Sequence, residues 1–251
     1  MPHRIKVGRL VNREPIFNVP GAVLAIIAVL IAVHAAMSFL TPDDFTWWLL
    51  ALAFIPARYS GLAGELPGGD VSAVTSWMTH MLVHADMTHL VFNSAWMLAF
   101  GSVLCARLGG GRFLAFSIAG GVCGALLFLV FNPEMLAPVI GASGAISAMM
   151  GGVMRFLFPA LDRGEGYLLR ERPSAIPALT LRSALNDRRI ILVSAAFLAI
   201  NLLAIIGFGK FGEEGEIAWE AHVGGYLFGL FALGAFDRAA QNDPPPSPDL
   251  D

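Results

Sequence analysis

Residues 21–40 run for twenty positions without a charged side chain, and five more apolar stretches follow, at about 86–107, 112–131, 141–158, 189–208 and 217–237. A bilayer core is about 30 Å thick and takes about 20 residues of helix to cross. In hydrocarbon every backbone N–H and C=O must be satisfied within the protein, and a helix does this within a single run. The chain therefore reads as an all-α membrane protein with six transmembrane helices. Its composition agrees: 56% of residues are apolar and 14% are charged, against about 25% charged in soluble domains. The first run could be mistaken for the apolar part of a signal peptide, but it is longer than such a segment usually is.

One membrane domain, residues 20–238, is expected between two tails. The first, 1–19, carries Arg4, Lys6, Arg9 and Arg13, and the second, 239–251, is rich in proline and acidic residues. That composition predicts disorder. Residues 41–85 form a long connection that contains Trp47-Trp48 and Pro67-Gly68-Gly69. Tryptophans beside apolar residues suit the headgroup layer, so short surface helices are predicted here. Gly207, Gly209, Gly212 and Gly215 predict a mobile link between the last two spans. Cys105 and Cys123 lie in separate apolar runs and read as small buried residues.

Orientation follows from Lys and Arg. With the N-terminus inside, the inner segments hold fourteen of the sixteen basic residues, and the outer segments hold only Arg58 and Lys210. Basic residues favour the cytoplasmic side. Both termini are thus expected in the cytoplasm, and spans two, four and six begin outside.

The polar residues of the spans gather at those outer ends. His84, His89 and Asn93 open span two, Ser143 opens span four, and His222 lies near the start of span six. Such residues are costly in a membrane and usually functional. At 1.5 Å per residue, Ser143 and His222 both lie about 8 Å below the outer edge. Gly144 follows the serine, and Gly225 and Gly229 follow the histidine at a spacing of four. Small residues so placed let membrane helices touch backbone to backbone. A serine at a helix start, between Gly141-Ala142 and Gly144, can act as a nucleophile if a histidine takes its proton. His89 and Asn93 share one helix face and can donate hydrogen bonds to an oxyanion. Glu220 precedes His222 by two residues and points elsewhere, so a Ser143–His222 dyad without a carboxylate is the economical reading. The spacing of His80, His84 and His89 lacks a carboxylate partner, so no metal is expected. The general alternatives are an ordinary N-cap serine, generic small-residue packing and a polar transport path. Against the last, the inner halves of the spans offer no matching polar residues.

Taken in order, His84-x4-His89-x3-Asn93, Gly141-Ala142-Ser143-Gly144 and Ala221-His222-x2-Gly225-x3-Gly229 resemble the rhomboid family of intramembrane serine proteases, six-span bacterial type. The resemblance covers roughly residues 70–236. It implies a six-helix bundle around a short fourth helix, with Ser143 as nucleophile and His222 as base. His89 and Asn93 would assist the oxyanion, with His84, Gly141, Gly144, Gly225 and Gly229 as structural support. It further implies no cofactor, transmembrane protein substrates within the lipid bilayer, no nucleic acid partner, and an inner-membrane location with the site open to the periplasmic side. Oligomeric state is left open. A non-catalytic relative that binds membrane-protein clients is the alternative; such relatives typically lack the serine or the histidine, and this chain has both. Two positions depart from the pattern. Trp77 is followed by Met78 where many members have Trp-Arg, and Ser147 stands where some have an aromatic. They leave open how the outer loop is anchored and how the imidazole is oriented.

Overall fold

A computed structural model describes residues 19–205 and 218–237. The expected tails (Val19 apart) and the Gly-rich link lie outside the described residues. Among those described, the helices are α1 (Gly21–Ser38), α2 (Pro42–Leu52), α3 (Gly69–Thr79), α4 (Met87–Trp96), α5 (Ser102–Leu108), α6 (Gly110–Phe131), α7 (Ser143–Asp162), α8 (Leu168–Glu171), α9 (Leu181–Asn186), α10 (Arg188–Ile205) and α11 (Trp219–Phe236). One isolated bridge joins Phe54 to Val139.

Four stretches, Gly21–Ser38, Met87–Leu108, Gly110–Phe131 and Ser143–Asp162, are long and apolar enough to cross a membrane. The fifth and sixth expected spans fall on the 18-residue helices α10 and α11, whose described residues do not by themselves meet that length and apolarity. Both are polar at their first turn: α10 opens on Arg188-Arg189, and α11 carries Glu220 and His222. The second span is irregular. A π-helical turn, Met97–Gly101, separates α4 from α5, and such bulges are frequent near functional sites. The long outer connection forms α2 and α3 with short 3₁₀ turns between and after them. Thr41 caps α2 by accepting from the Asp44 N–H at 3.2 Å, and Asp43 and Asp44 favour its N-terminus.

Helix α7 is the centre. Of its apolar window 72% is buried, against 17% for α1, so α7 is wrapped by protein while α1 faces outward. Glycines make the wrapping close. A Cβ on Gly151 would collide with the Tyr226 carbonyl, one on Gly229 with the Ala148 carbonyl, and one on Gly120 with the Ala148 side chain. Helices α6, α7 and α11 thereby pack with their backbones almost touching, which is how helices associate where burial of apolar surface gives no drive.

Charges close the opposite end of the bundle. Asp237 Oδ2 accepts from Arg107 Nε at 2.9 Å and from Nη2 at 2.6 Å, and Arg107 Nη1 donates to the Pro173 and Ile176 carbonyls at 2.6 and 2.8 Å. Arg155 donates to the Leu179 carbonyl from Nε at 3.0 Å and Nη2 at 2.6 Å. These bonds tie α5, α7 and the end of α11 to the loop after α8, with Arg107 and Asp237 ion-paired and the Arg155 guanidinium hydrogen-bonded to a carbonyl.

Candidate active site

Ser143 is the first residue of α7. The chain reaches it through a clamped turn. Phe54 N–H donates to the Val139 carbonyl at 3.0 Å, Val139 N–H returns to the Phe54 carbonyl at 2.8 Å, and Gly141 N–H donates to the His80 carbonyl at 2.9 Å. Gly141 then adopts φ +102°, a conformation in which a side chain would be strained. The outer loop thus fixes where α7 starts. The first-turn N–H groups at this end have no acceptor within the helix and are free to meet negative charge.

His222 comes from the first turn of α11. Its Nε2 lies 2.8 Å from Ser143 Oγ, across 79 positions of sequence. The approach depends on the small residues around it: a Cβ on Gly225 would overlap the Gly144 carbonyl, and one on Gly144 would rest 3.5 Å from the Ala221 carbonyl. Glu220 points away, as its offset from His222 requires. Its Oε1 accepts from Asn132 Nδ2 at 2.9 Å, which ties the start of α11 to the end of α6.

His89 and Asn93 lie on one face of α4. Asp86 caps that helix, its Oδ1 accepting from the His89 N–H at 2.8 Å. The His89 ring reaches the serine turn: a Cβ on Gly141 would lie 2.6 Å from its Nε2. Asn93 Nδ2 donates to the His89 carbonyl at 3.0 Å, and the amide is buried. His84 is 1% exposed and meets His89 edge-on, with ring centroids 5.0 Å apart. Ser143 and His222 are therefore paired directly and His89 sits beside their turn, while the Asn93 amide is engaged with its own helix. Among the described residues no three His, Cys, Asp or Glu side chains gather closely enough to hold a metal ion.

The rhomboid domain, as a family model, matches residues 72–238 and so takes in the serine turn, α4 and α11. The chain belongs to the rhomboid family. Its relatives include the rhomboid protease GluP of Bacillus subtilis, 28% identical over 159 residues, 63% of this chain and 25% of that protein. They also include rhomboid proteases GlpG, from Serratia proteamaculans at 22% over 207 residues (82% of this chain, 59% of that one) and from Yersinia enterocolitica at 25% over 176 residues (69% and 52%). This rhomboid thus spans from a quarter to about three fifths of the length of those relatives.

Both departures from the rhomboid pattern have a structural answer. Arg58, 2% exposed, anchors the outer loop: its Nη2 donates to the Leu50 carbonyl at 2.6 Å and the Pro67 carbonyl at 2.8 Å. Trp77 packs on Phe54 and Tyr59, with centroids at 4.7 and 5.5 Å. The imidazole is met by a residue absent from the sequence reading. Asn201, on α10, places Oδ1 2.7 Å from His222 Nδ1. The available signal was that Asn201 is a lone amide in an apolar run, which marks a functional position in a membrane helix. The carboxylate that often stands beside such a histidine is here replaced by an amide.

Proposed function

We propose that this rhomboid is an intramembrane serine endopeptidase that cuts other membrane proteins in or near their transmembrane segments, with Ser143 as nucleophile and His222 as general base. One observation carries the reading: a serine hydroxyl at a helix N-terminus lies 2.8 Å from an imidazole nitrogen. Ser143 Oγ attacks the scissile carbonyl carbon while its proton moves to His222 Nε2. The oxyanion forms beside the first-turn N–H groups of α7 and the His89 edge, which favour it as the charge develops. The imidazolium returns its proton to the leaving amine, leaving an acyl-enzyme that water hydrolyses by the same route in reverse. Every step uses groups of the chain itself. The names of the relatives, rhomboid proteases, support the same reading, as do the membrane-crossing helices. The basic-residue count supports an inner-membrane orientation with both termini in the cytoplasm and the site toward the periplasm.

The test is cleavage of a transmembrane reporter in proteoliposomes. The wild type is expected to cut it and Ser143→Ala and His222→Ala to leave it intact, with all three proteins equally folded by circular dichroism. Undiminished cutting by Ser143→Ala would overturn the assignment. A membrane-impermeant fluorophosphonate applied to spheroplasts is expected to label wild type and not Ser143→Ala; labelling confined to inverted vesicles would reverse the orientation.

A further inference from the structure

We infer that Asn201 is a positioning residue for the reaction, holding His222 in the one tautomer and orientation able to activate Ser143; this rests on the reading of Ser143 and His222 as the reacting pair. Asn201 is buried, at 7% exposure, on α10. Its Nδ2 donates to the Phe197 carbonyl at 2.8 Å, and its Oδ1 faces His222 Nδ1 at 2.7 Å. A backbone carbonyl can only accept, so Phe197 requires the NH₂ end of the amide and leaves the oxygen for the imidazole. An oxygen there can only accept, so His222 Nδ1 must carry the hydrogen. In a neutral ring Nε2 is then bare, and it is Nε2 that lies against Ser143 Oγ. The carbonyl of Phe197 thus sets, through two side chains, the atom that receives the serine proton. When that proton arrives, Nδ1–H keeps its bond to Asn201, so the ring does not turn as it becomes charged. Histidines in other triads are oriented by a carboxylate or an amide at the same nitrogen. Within a membrane an amide supplies the acceptor without a buried negative charge.

The contact does not follow from tight packing of the two helices. Between α10 and α11 lies an apolar cleft of about 300 Å³, lined by Ile191, Leu198, Val223 and Leu230 among others. Across it the helices are tied by Asn201 to His222, by Ser194 Oγ to Tyr226 OH at 2.7 Å, and by the Phe197 ring stacked on Tyr226 at 4.8 Å. Ser194, Phe197 and Asn201 fall on one face of α10, and His222 and Tyr226 on one face of α11. Ser147, where some rhomboids carry an aromatic, leaves the orienting role to this seam.

The experiment compares wild type, Ser143→Ala, Asn201→Leu and Asn201→Asp in proteoliposomes. It reads kcat and KM on a transmembrane reporter, and the ¹⁵N spectrum of imidazole-labelled protein with His222 assigned by His222→Gln. In wild type the His222 Nδ1 is expected to carry the hydrogen and Nε2 to be bare; the opposite tautomer would overturn the proposal without any Asn201 variant. Asn201→Leu is expected to lower kcat by up to about 10⁴-fold, the loss seen when a catalytic imidazole is left in the wrong tautomer. KM should stay within about two-fold and the tautomers should become mixed. Asn201→Asp keeps an acceptor toward His222 Nδ1 but loses the donor to the Phe197 carbonyl, so it is expected to keep the Nδ1–H tautomer and a kcat above that of Asn201→Leu, though below wild type. Wild-type kcat in Asn201→Leu, beside an inactive Ser143→Ala, would refute the role of Asn201 alone. A loss in Asn201→Leu with an unchanged tautomer would do the same, assigning Asn201 to packing. Full activity in Ser143→Ala would instead remove the reacting pair on which the proposal stands.

Discussion

Gly225 lies so close to Gly144 that a Cβ on it would overlap the Gly144 carbonyl. The pair sits next to both proposed reacting residues, so the spacing of α7 and α11 and the Ser143–His222 distance are one quantity. Gly225→Val must push the helices apart. A shift of about 1 Å in reacting groups can cost about 10² in rate, and at least that loss is expected in reporter cleavage. Thermal unfolding in detergent should fall as well. Wild-type turnover in Gly225→Val would mean that the helices do not meet through this face.

His89→Ala and Asn93→Ala separate two residues that the sequence groups together. The His89 edge borders the serine turn, while the Asn93 amide donates to the His89 carbonyl. Loss of one oxyanion donor lowers kcat by about 10²–10³, and that is expected for His89→Ala, with KM nearly unchanged. Asn93→Ala is expected to fall in the same range or below it, since part of its hydrogen bonding already goes to α4. Equal wild-type rates in both variants would assign this face another purpose.

Arg58→Ala tests the loop anchor. It strands the Leu50 and Pro67 carbonyls that Arg58 Nη2 now satisfies. Leaving buried polar groups without partners costs about 1–3 kcal/mol. Faster limited proteolysis within residues 41–85 is expected, together with reduced reporter cleavage, because the same loop holds the serine turn through Phe54–Val139. An unchanged proteolytic pattern would show that the loop is held by Trp77 and its aromatic neighbours instead.

His80 makes the outer loop sensitive to acid. It lies outside the spanning helices, 3% exposed, with its ring 2.7 Å from the Ser76 carbonyl at Nδ1. Burial pushes its pKa down from 6.5 to about 4. Between those values the unfolded chain binds the proton and the folded chain does not, so stability is full above about pH 6.5 and falls as pH drops toward 4. Unfolding temperature in detergent is expected to decline over that window, and to decline less in His80→Gln. Identical pH profiles for the two proteins would remove His80 as a source of the effect.

Length and apolarity were enough to read a helical membrane protein from the sequence, because hydrocarbon admits so few backbone solutions. The adjoining ends of the second and third spans came out within a few residues, as did the start of the second, set by the Gly109 break and the Asp86 cap. The serine, the two histidines and the glycines were legible because each belongs to a local motif with its own spacing. Tertiary structure decided what spacing cannot express. Which helix lies at the centre depends on what surrounds it, and α7 and α1 are both apolar in sequence although only α7 is buried. Arg58 became the loop anchor because folding carries it to the Leu50 and Pro67 carbonyls, and no motif marks it. Asn201 is the sharpest case. A single amide among apolar residues is equally compatible with many faces of α10, and only the packing of α10 on α11 turns it toward His222. The imidazole tautomer follows from a backbone carbonyl on a neighbouring helix, a relation written in three dimensions and not in the order of residues.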